Sequence, residues 1–222
     1  MRRRLIGASA LAALVPAWAG PNAPVPQRPS PEAALQRLLQ GNKRYVAGRP
    51  LKRDPAKGRK TRTQGQWPVA AVLSCADSRV APELLFDQGL GDLFVVRLAG
   101  NFVNDDALAS MEYAVQYLGV PLVVVLGHSH CGAISAAVKV VQEGAVLPGH
   151  LPGLVQAIQP AVESAQRRRP DDLLAAATVQ NVRHNVARLA MAAPILAERT
   201  ATGTTQTVGG VYDLATGVVT LV

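Results

Sequence analysis

The sequence predicts an α/β fold: a central, mostly parallel β-sheet flanked by helices. Three observations carry this. The apolar runs at 69–74, 93–98 and 122–126 are nearly continuous rather than alternating, as in strands covered on both faces. Helix-periodic segments separate them, the alternation that gives parallel pairing. Hydrophobic residues make up 49% of the 222 residues and charged residues 17%, which excludes disorder for the bulk of the chain. A chain of this length buries roughly 70% of the surface it exposes unfolded. Aromatics are only 4%, so the core must come from Ala, Val and Leu.

The elements follow in order. Arg2-Arg3-Arg4, a mildly apolar stretch from Leu5 to Val15, and the small-x-small Ala17-Trp18-Ala19 give residues 1–19 the form of a signal peptide. Arg2-Arg3-Arg4-Leu5-Ile6 also fits a twin-arginine pattern, which exports folded protein. A periplasmic or otherwise exported mature chain is therefore expected, and a cytoplasmic one if those residues are a short amphipathic helix instead. Residues 20–30 form a Pro-rich linker, and the globular domain spans 31–222. Ser30 caps a helix with Pro31 at its first position; Ala34, Leu35, Leu38 and Leu39 follow at helical spacing, and Gly41-Asn42 reads as its stop. Residues 52–62 hold six basic residues and one acid, Asp54, and read as a solvated loop. Strands are expected at Val69–Ser74, Leu93–Leu98 and Leu122–Leu126, with helices at Pro82–Phe86, Ala107–Leu118 and Ala133–Val141. Residues 154–192 are mostly helical and Pro194 ends that run; Thr207–Tyr212 and Val218–Val222 are strands joined by a turn at Thr216-Gly217.

Charge and cysteine usage narrow the function. Twenty-three Lys and Arg against fifteen Asp and Glu give +8, or +5 without Arg2, Arg3 and Arg4. That balance does not by itself argue for nucleic acid, and no aromatics interleave with the basic run for base stacking. No apolar run reaches the ~20 residues of a membrane span, so stable membrane insertion is not expected. Two cysteines rule out a disulfide scaffold.

Both cysteines fall just past strand ends. The first strand is followed by Cys75-Ala76-Asp77-Ser78-Arg79, the third by His128-Ser129-His130-Cys131-Gly132. Open parallel sheets bind ligands outside the carboxyl ends of their strands. Zinc accepts thiolate, imidazole and carboxylate, so Cys75, His128 and Cys131 supply three ligands and Asp77 can supply a fourth. Soft donors favour zinc over magnesium or calcium and leave iron and cobalt open. Taken singly, each cysteine also reads as a small buried hydrophobe, and in an exported chain the pair could form a disulfide. Their joint placement with His128 at two strand ends favours metal. His150 and His184 read as ordinary surface or core histidines, and His130 as a neighbour of the cluster.

Longer motifs surround these residues: Cys75-Ala76-Asp77-Ser78-Arg79-Val80, Gly91-Asp92-Leu93-Phe94-Val95-Val96-Arg97, Ala99-Gly100-Asn101, Glu112-Tyr113-Ala114-Val115 and Gly127-His128-Ser129-His130-Cys131-Gly132. With Leu38-Leu39-Gln40-Gly41-Asn42 and Val211-Tyr212-Asp213-Leu214, they resemble the bacterial branch of the β-class carbonic anhydrases over roughly residues 31–222. The resemblance implies zinc on Cys75, His128 and Cys131, and reversible hydration of CO2 to bicarbonate and a proton by zinc-bound hydroxide. Asp77 is implied either as fourth ligand, closing the site, or as the partner of Arg79, leaving that position to water. An arginine two residues on can hold the carboxylate off the metal by a bidentate pair, so Asp77 and Arg79 form a candidate gate; a structural ion pair is the alternative.

The resemblance further implies that Gln66 hydrogen-bonds bicarbonate, that Phe94 and Tyr113 wall an apolar CO2 pocket, and that Gly132 belongs to the substrate-binding set. It implies a homodimer or homotetramer with the site near the subunit interface. Some relatives carry a tryptophan three residues before the first zinc cysteine, at a regulatory bicarbonate site. Val72 stands there in this chain, so that site is not carried over although Arg97 is present. Two further readings are a CS2 or COS hydrolase on the same scaffold, and a non-catalytic zinc-binding module using the basic loop at 52–62.

Overall fold

The computed structural model describes residues 27–222. The leader at 1–19 and positions 20–26 of the linker lie outside the described residues. The chain folds as α1 (Pro31–Val46), α2 (Arg59–Arg62), β1 (Ala70–Ser74), α3 (Pro82–Leu85), β2 (Leu93–Arg97), α4 (Asp105–Gln116), β3 (Leu122–His128), α5 (Gly132–Glu143), α6 (Leu151–Gln166), α7 (Leu173–Ala190), α8 (Ile195–Ala201), β4 (Gln206–Tyr212) and β5 (Val219–Leu221).

The sheet order is β2-β1-β3-β4-β5. β1 pairs in parallel with both β2 and β3, β3 pairs in parallel with β4, and only β5 is antiparallel. The chain leaves β1 for β2 on one side and returns to β3 on the other. The crevice between the carboxyl ends of β1 and β3 is therefore the topological switch point, where such sheets place ligands. Every residue of β1 and β3 is buried, as their unbroken apolar runs require. Alternate strand residues feed opposite faces. Ala70, Val72, Val124 and Leu126 pack with Leu38 of α1 and Leu85 of α3, whereas Ala71, Leu73, Val123 and Val125 pack with Met111 of α4, Val182 of α7 and Leu196 of α8. A third apolar cluster gathers α5, α6 and α7 around Cys75 and Cys131.

The structure corrects the first of the following sequence expectations and refines the other two. Gly41-Asn42 does not stop α1, which runs on to Val46. A Cβ on Gly41 would lie 1.7 Å from the Phe86 carbonyl oxygen, so the glycine permits a close helix approach. The buried Asn42 amide donates to the Leu85 and Gly217 carbonyls at 3.0 and 2.9 Å and accepts from Val219 N at 2.9 Å, tying three segments together. Long-range contacts thus override a local breaker signal. The helical run at 154–192 is two helices, because residues 167–172 break it and Asp172 caps α7 by accepting from Ala175 N. Past Pro194 the chain resumes as α8, whose seven residues are too few to display a periodicity. The basic stretch is exposed as expected, apart from half-buried Arg62, and forms one helical turn, α2.

Asp87 anchors that stretch to the body. Its buried carboxylate is bound by Arg44 of α1 and Arg53 of the basic loop, and it accepts from Leu51 N at 3.2 Å. Burial alone would raise its pKa, but the hydrogen bonds from Arg44, Arg53 and Leu51 outweigh burial and the net shift is downward. A carboxylate with a depressed folded pKa stabilises above its unfolded value near ~3.9, and that stability is lost as pH falls through the folded value. Asp87→Asn is expected to cost on the order of 1–3 kcal/mol at pH 7, typical of hydrogen bonds to charged groups, with the deficit shrinking below pH ~4. Urea unfolding of both proteins at the two pH values checks it; an equal deficit at both would show that charge is not the cause.

Candidate metal centre

The crevice between β1 and β3 is built by two strand ends. β1 delivers Cys75 one residue past Ser74, while His128 is the last residue of β3. Three residues further, Cys131 takes the N-cap position of α5, beside the unpaired backbone N–H groups of the first helical turn. Cys75, His128 and Cys131 are all buried, and their donor atoms lie within 4.8 Å of one another. His128 places Nδ1 2.9 Å from the Ser129 carbonyl oxygen. A carbonyl only accepts, so Nδ1 carries the proton and Nε2 is the free lone pair. That Nε2 is buried without a hydrogen-bond partner. A buried acceptor with no protein partner, grouped with two thiols, is a donor set suited to a metal ion.

The sulfurs fit the same reading. They are 3.9 Å apart and both thiols are free, so the disulfide reading fails: an S–S bond is about 2.05 Å. Two sulfurs about 2.3 Å from a tetrahedral zinc stand roughly 3.8 Å apart. Cys75 has a lowered pKa: the Cys131 thiol hydrogen-bonds to it and, against the opposing effect of burial, His128 and the backbone N–H groups of Gly100 and Asp77 add to the lowering. Cys131 is pushed up, by Cys75 first and by burial second. Two thiolates this close cannot both ionise cheaply unless a cation lies between them.

Asp77 and Arg79 are brought to the rim. Arg79 Nε donates to Asp77 Oδ1 at 2.9 Å and Nη2 to Oδ2 at 2.8 Å; Arg79 N also donates to Oδ1, at 3.0 Å. The Arg79 guanidinium, foremost among these, holds the Asp77 carboxyl well below the usual range. Asp77 Oδ2 nevertheless stands only 3.9 Å from His128 Nε2. Arg97 straps the segment from below, donating to the Cys75 carbonyl at 3.1 Å and the Asp77 carbonyl at 2.7 Å. Gly132, the first residue of α5, is exposed, and nothing lies within 4 Å of where its Cβ would be. His130 is exposed beside the cluster, with φ +55°.

A single chain does not bring the remaining expected residues to the cluster. Phe94 pairs with Ala71, three register positions short of Ser74–Arg97, or about 10 Å along the strand. It packs on Tyr113, ring centroids 6.1 Å apart, and Tyr113 on Tyr117 at 5.5 Å. Gln66 is exposed on the segment entering the amino end of β1, the far end from Cys75. One contact escaped sequence reasoning: Gly100 N donates to Cys75 Sγ at 3.3 Å. A backbone donor leaves no side-chain signature; the only trace is a glycine, needed here because φ is +83° and a Cβ would sit 2.5 Å from Ile158 Cδ1.

Fold and site define a class: an α/β protein with a metal-competent Cys-His-Cys cluster at the switch point of its sheet. Residues 70–219 match the sequence profile of a family described as carbonic anhydrase. The carbonic anhydrase of Mycolicibacterium smegmatis is 45% identical over 198 residues, covering 86% of this chain and 93% of that one. Carbonic anhydrase 2 of Mycobacterium tuberculosis is 41% identical, covering 85% and 91%. Among solved structures, the β-carbonic anhydrase CcaA superposes with a TM-score of 0.63 at 28% identity, over 84% of this chain and 94% of that one. The Coccomyxa β-carbonic anhydrase, in complex with acetazolamide, gives 0.67 at 26% identity over 85% and 86%. The chain belongs to the β-carbonic anhydrase family and is an enzyme of that class.

Proposed function

We propose that the chain catalyses reversible hydration of CO2 to bicarbonate and a proton at a zinc ion held by Cys75, His128 and Cys131, gated by Asp77 and Arg79. The observation that carries this reading is the Asp77 carboxylate, bound at both oxygens by Arg79 yet 3.9 Å from the free Nε2 of His128. When bound, zinc supplies a Lewis acid that brings the pKa of a coordinated water toward ~7, a figure established on carbonic anhydrase itself. The protein residues do the rest. Ser129 fixes the His128 tautomer through its carbonyl. Arg79 keeps the carboxylate out of the fourth position, and releasing it lets Asp77 close the site. Gly132 leaves an open floor beside Cys131 for a small substrate.

Gln66, Phe94 and Tyr113 complete the site from a second copy of the chain. β2 is an edge strand, and Phe94, Val95 and Val96 on it are half-buried, an unpaired apolar edge of the kind a second chain covers. A homodimer or a dimer of dimers satisfies that edge. A pair of solved Sordaria macrospora β-carbonic anhydrases, described as tetrameric, shares the fold with a TM-score of 0.68 at 23% identity. None of the helices among the described residues is long and apolar enough to cross a membrane.

Stopped-flow CO2 hydration by the zinc-loaded protein tests the reading, with CS2 and COS hydrolysis run beside it. CO2 turnover is expected; turnover of CS2 or COS alone would overturn the substrate, and no turnover of any would leave a binding module. The residue 1–19 pattern supports export of a mature chain beginning near Gly20. N-terminal sequencing of protein from a fractionated native host is expected to find that start in the periplasmic or exported fraction, and a cytoplasmic protein retaining Arg2 would refute it.

A further inference from the structure

The β2–α4 loop, residues 98–104, reaches the sulfur of Cys75 through the Gly100 N–H. What holds this loop comes from a distant part of the chain. α7 packs on the sheet, and beside Ala177, Val182 and Leu189 it buries three polar residues, Thr178, Asn181 and Asn185. Thr178 satisfies its hydroxyl within the helix, donating to the Leu174 carbonyl. The two asparagines reach outward. Asn181 Nδ2 donates to the Gly100 carbonyl at 2.8 Å, and Asn185 Oδ1 accepts from Val103 N at 2.8 Å. Asn185 Nδ2 in turn donates to the Asn181 carbonyl at 2.8 Å and to Asn181 Oδ1 at 3.2 Å, which sets the Asn181 amide with its donor toward the loop.

Gly100 is therefore fixed at both ends: its N–H against sulfur, its carbonyl against Asn181. Gly100, at φ +83°, has the freedom to take up many conformations, and Asn101, at +41°, sits in one that a side chain seldom adopts, so the loop needs outside anchors. Buried amides are costly unless paired, and a helix packing on a sheet does not need them. Their partners here are two backbone groups of the loop that touches a metal-cluster sulfur.

We infer that Asn181, braced by Asn185, is a positioning residue that aims the Gly100 N–H at the Cys75 thiolate and so tunes the donor strength and orientation of that ligand. The inference rests on the zinc reading above. An N–H···S hydrogen bond draws charge off sulfur. Removing the anchor lets Gly100 drift, so that the sulfur becomes more electron-rich and less well oriented. Loss of partners outside the ligand set typically costs 10–100-fold in metal affinity.

The test uses the full chain loaded with Co(II), whose thiolate-to-metal charge-transfer band reports charge on sulfur, together with zinc affinity by chelator competition. Asn181→Leu keeps the branched heavy-atom shape and removes the donor. It is expected to move the band to lower energy and to weaken zinc binding by about 10–100-fold. Thr178→Val, one turn earlier on the same buried face, is expected to leave both unchanged even if stability falls. A wild-type band and affinity in Asn181→Leu would overturn the inference, making the asparagines purely structural. Should that variant not fold, Asn185→Ser, which frees Val103 N and unbraces Asn181, carries the same expected shift and the same overturning result. A wild-type chain that shows no charge-transfer band would instead contradict the metal reading itself.

Discussion

Cys131→Ala is expected to lose zinc and CO2 hydration together. The Cys131 sulfur is one of three buried donors, 3.9 Å from Cys75, on the N-terminal turn of α5. Backbone N–H groups of Ile134 and Ala133 favour its anionic form, against Cys75 and burial, which push its pKa up. Alanine leaves Cys75 and His128, too few donors to fix a tetrahedral ion. The fall in affinity should exceed the 10–100-fold typical of losing a residue that only supports a ligand. Zinc content per chain by elemental analysis, measured beside CO2 hydration, checks it. Retained metal would mean that the ligand assignment is wrong.

Arg79→Ala carries the second large effect. Arg79 grips both oxygens of Asp77, but its own side chain is 55% exposed, so its removal should change stability little. If the pair is a gate, the freed carboxylate swings toward the His128 side and occupies the fourth position. CO2 hydration is then expected to fall on the order of 10²–10³-fold, with zinc still bound. Arg79→Lys should recover only part of the loss, because a single ammonium lacks the planar fork that binds both oxygens. Near-normal hydration in Arg79→Ala would reduce the pair to a surface ion pair.

The sheet and the cluster were legible in the sequence for the same reason. Strands covered on both faces must be continuously apolar, so β1 and β3 announced themselves, and the polar residues at their ends stood out by contrast. Cys75, Asp77, Arg79, His128 and Cys131 are short-range patterns whose spacing survives folding. What was not legible depends on long-range contact. Gly41-Asn42 looks like a helix stop until Phe86 and Val219 are beside it. α8 is too short to have a period. Phe94, Tyr113 and Gln66 are expected at the site, yet one chain sets them away from the cluster. The Gly100 N–H and the Asn181 amide that holds its loop are separated by 81 residues, and no local pattern connects them.

The central claim is that one zinc, on Cys75, His128 and Cys131, carries the CO2 chemistry. Its most direct test is a titration of chelator-stripped protein with zinc, each step assayed for CO2 hydration by stopped flow. Activity should start near zero, rise in proportion to bound metal and level off at one zinc per chain. Full hydration by the stripped protein, or a chain that fills with zinc and stays inactive, would contradict the account.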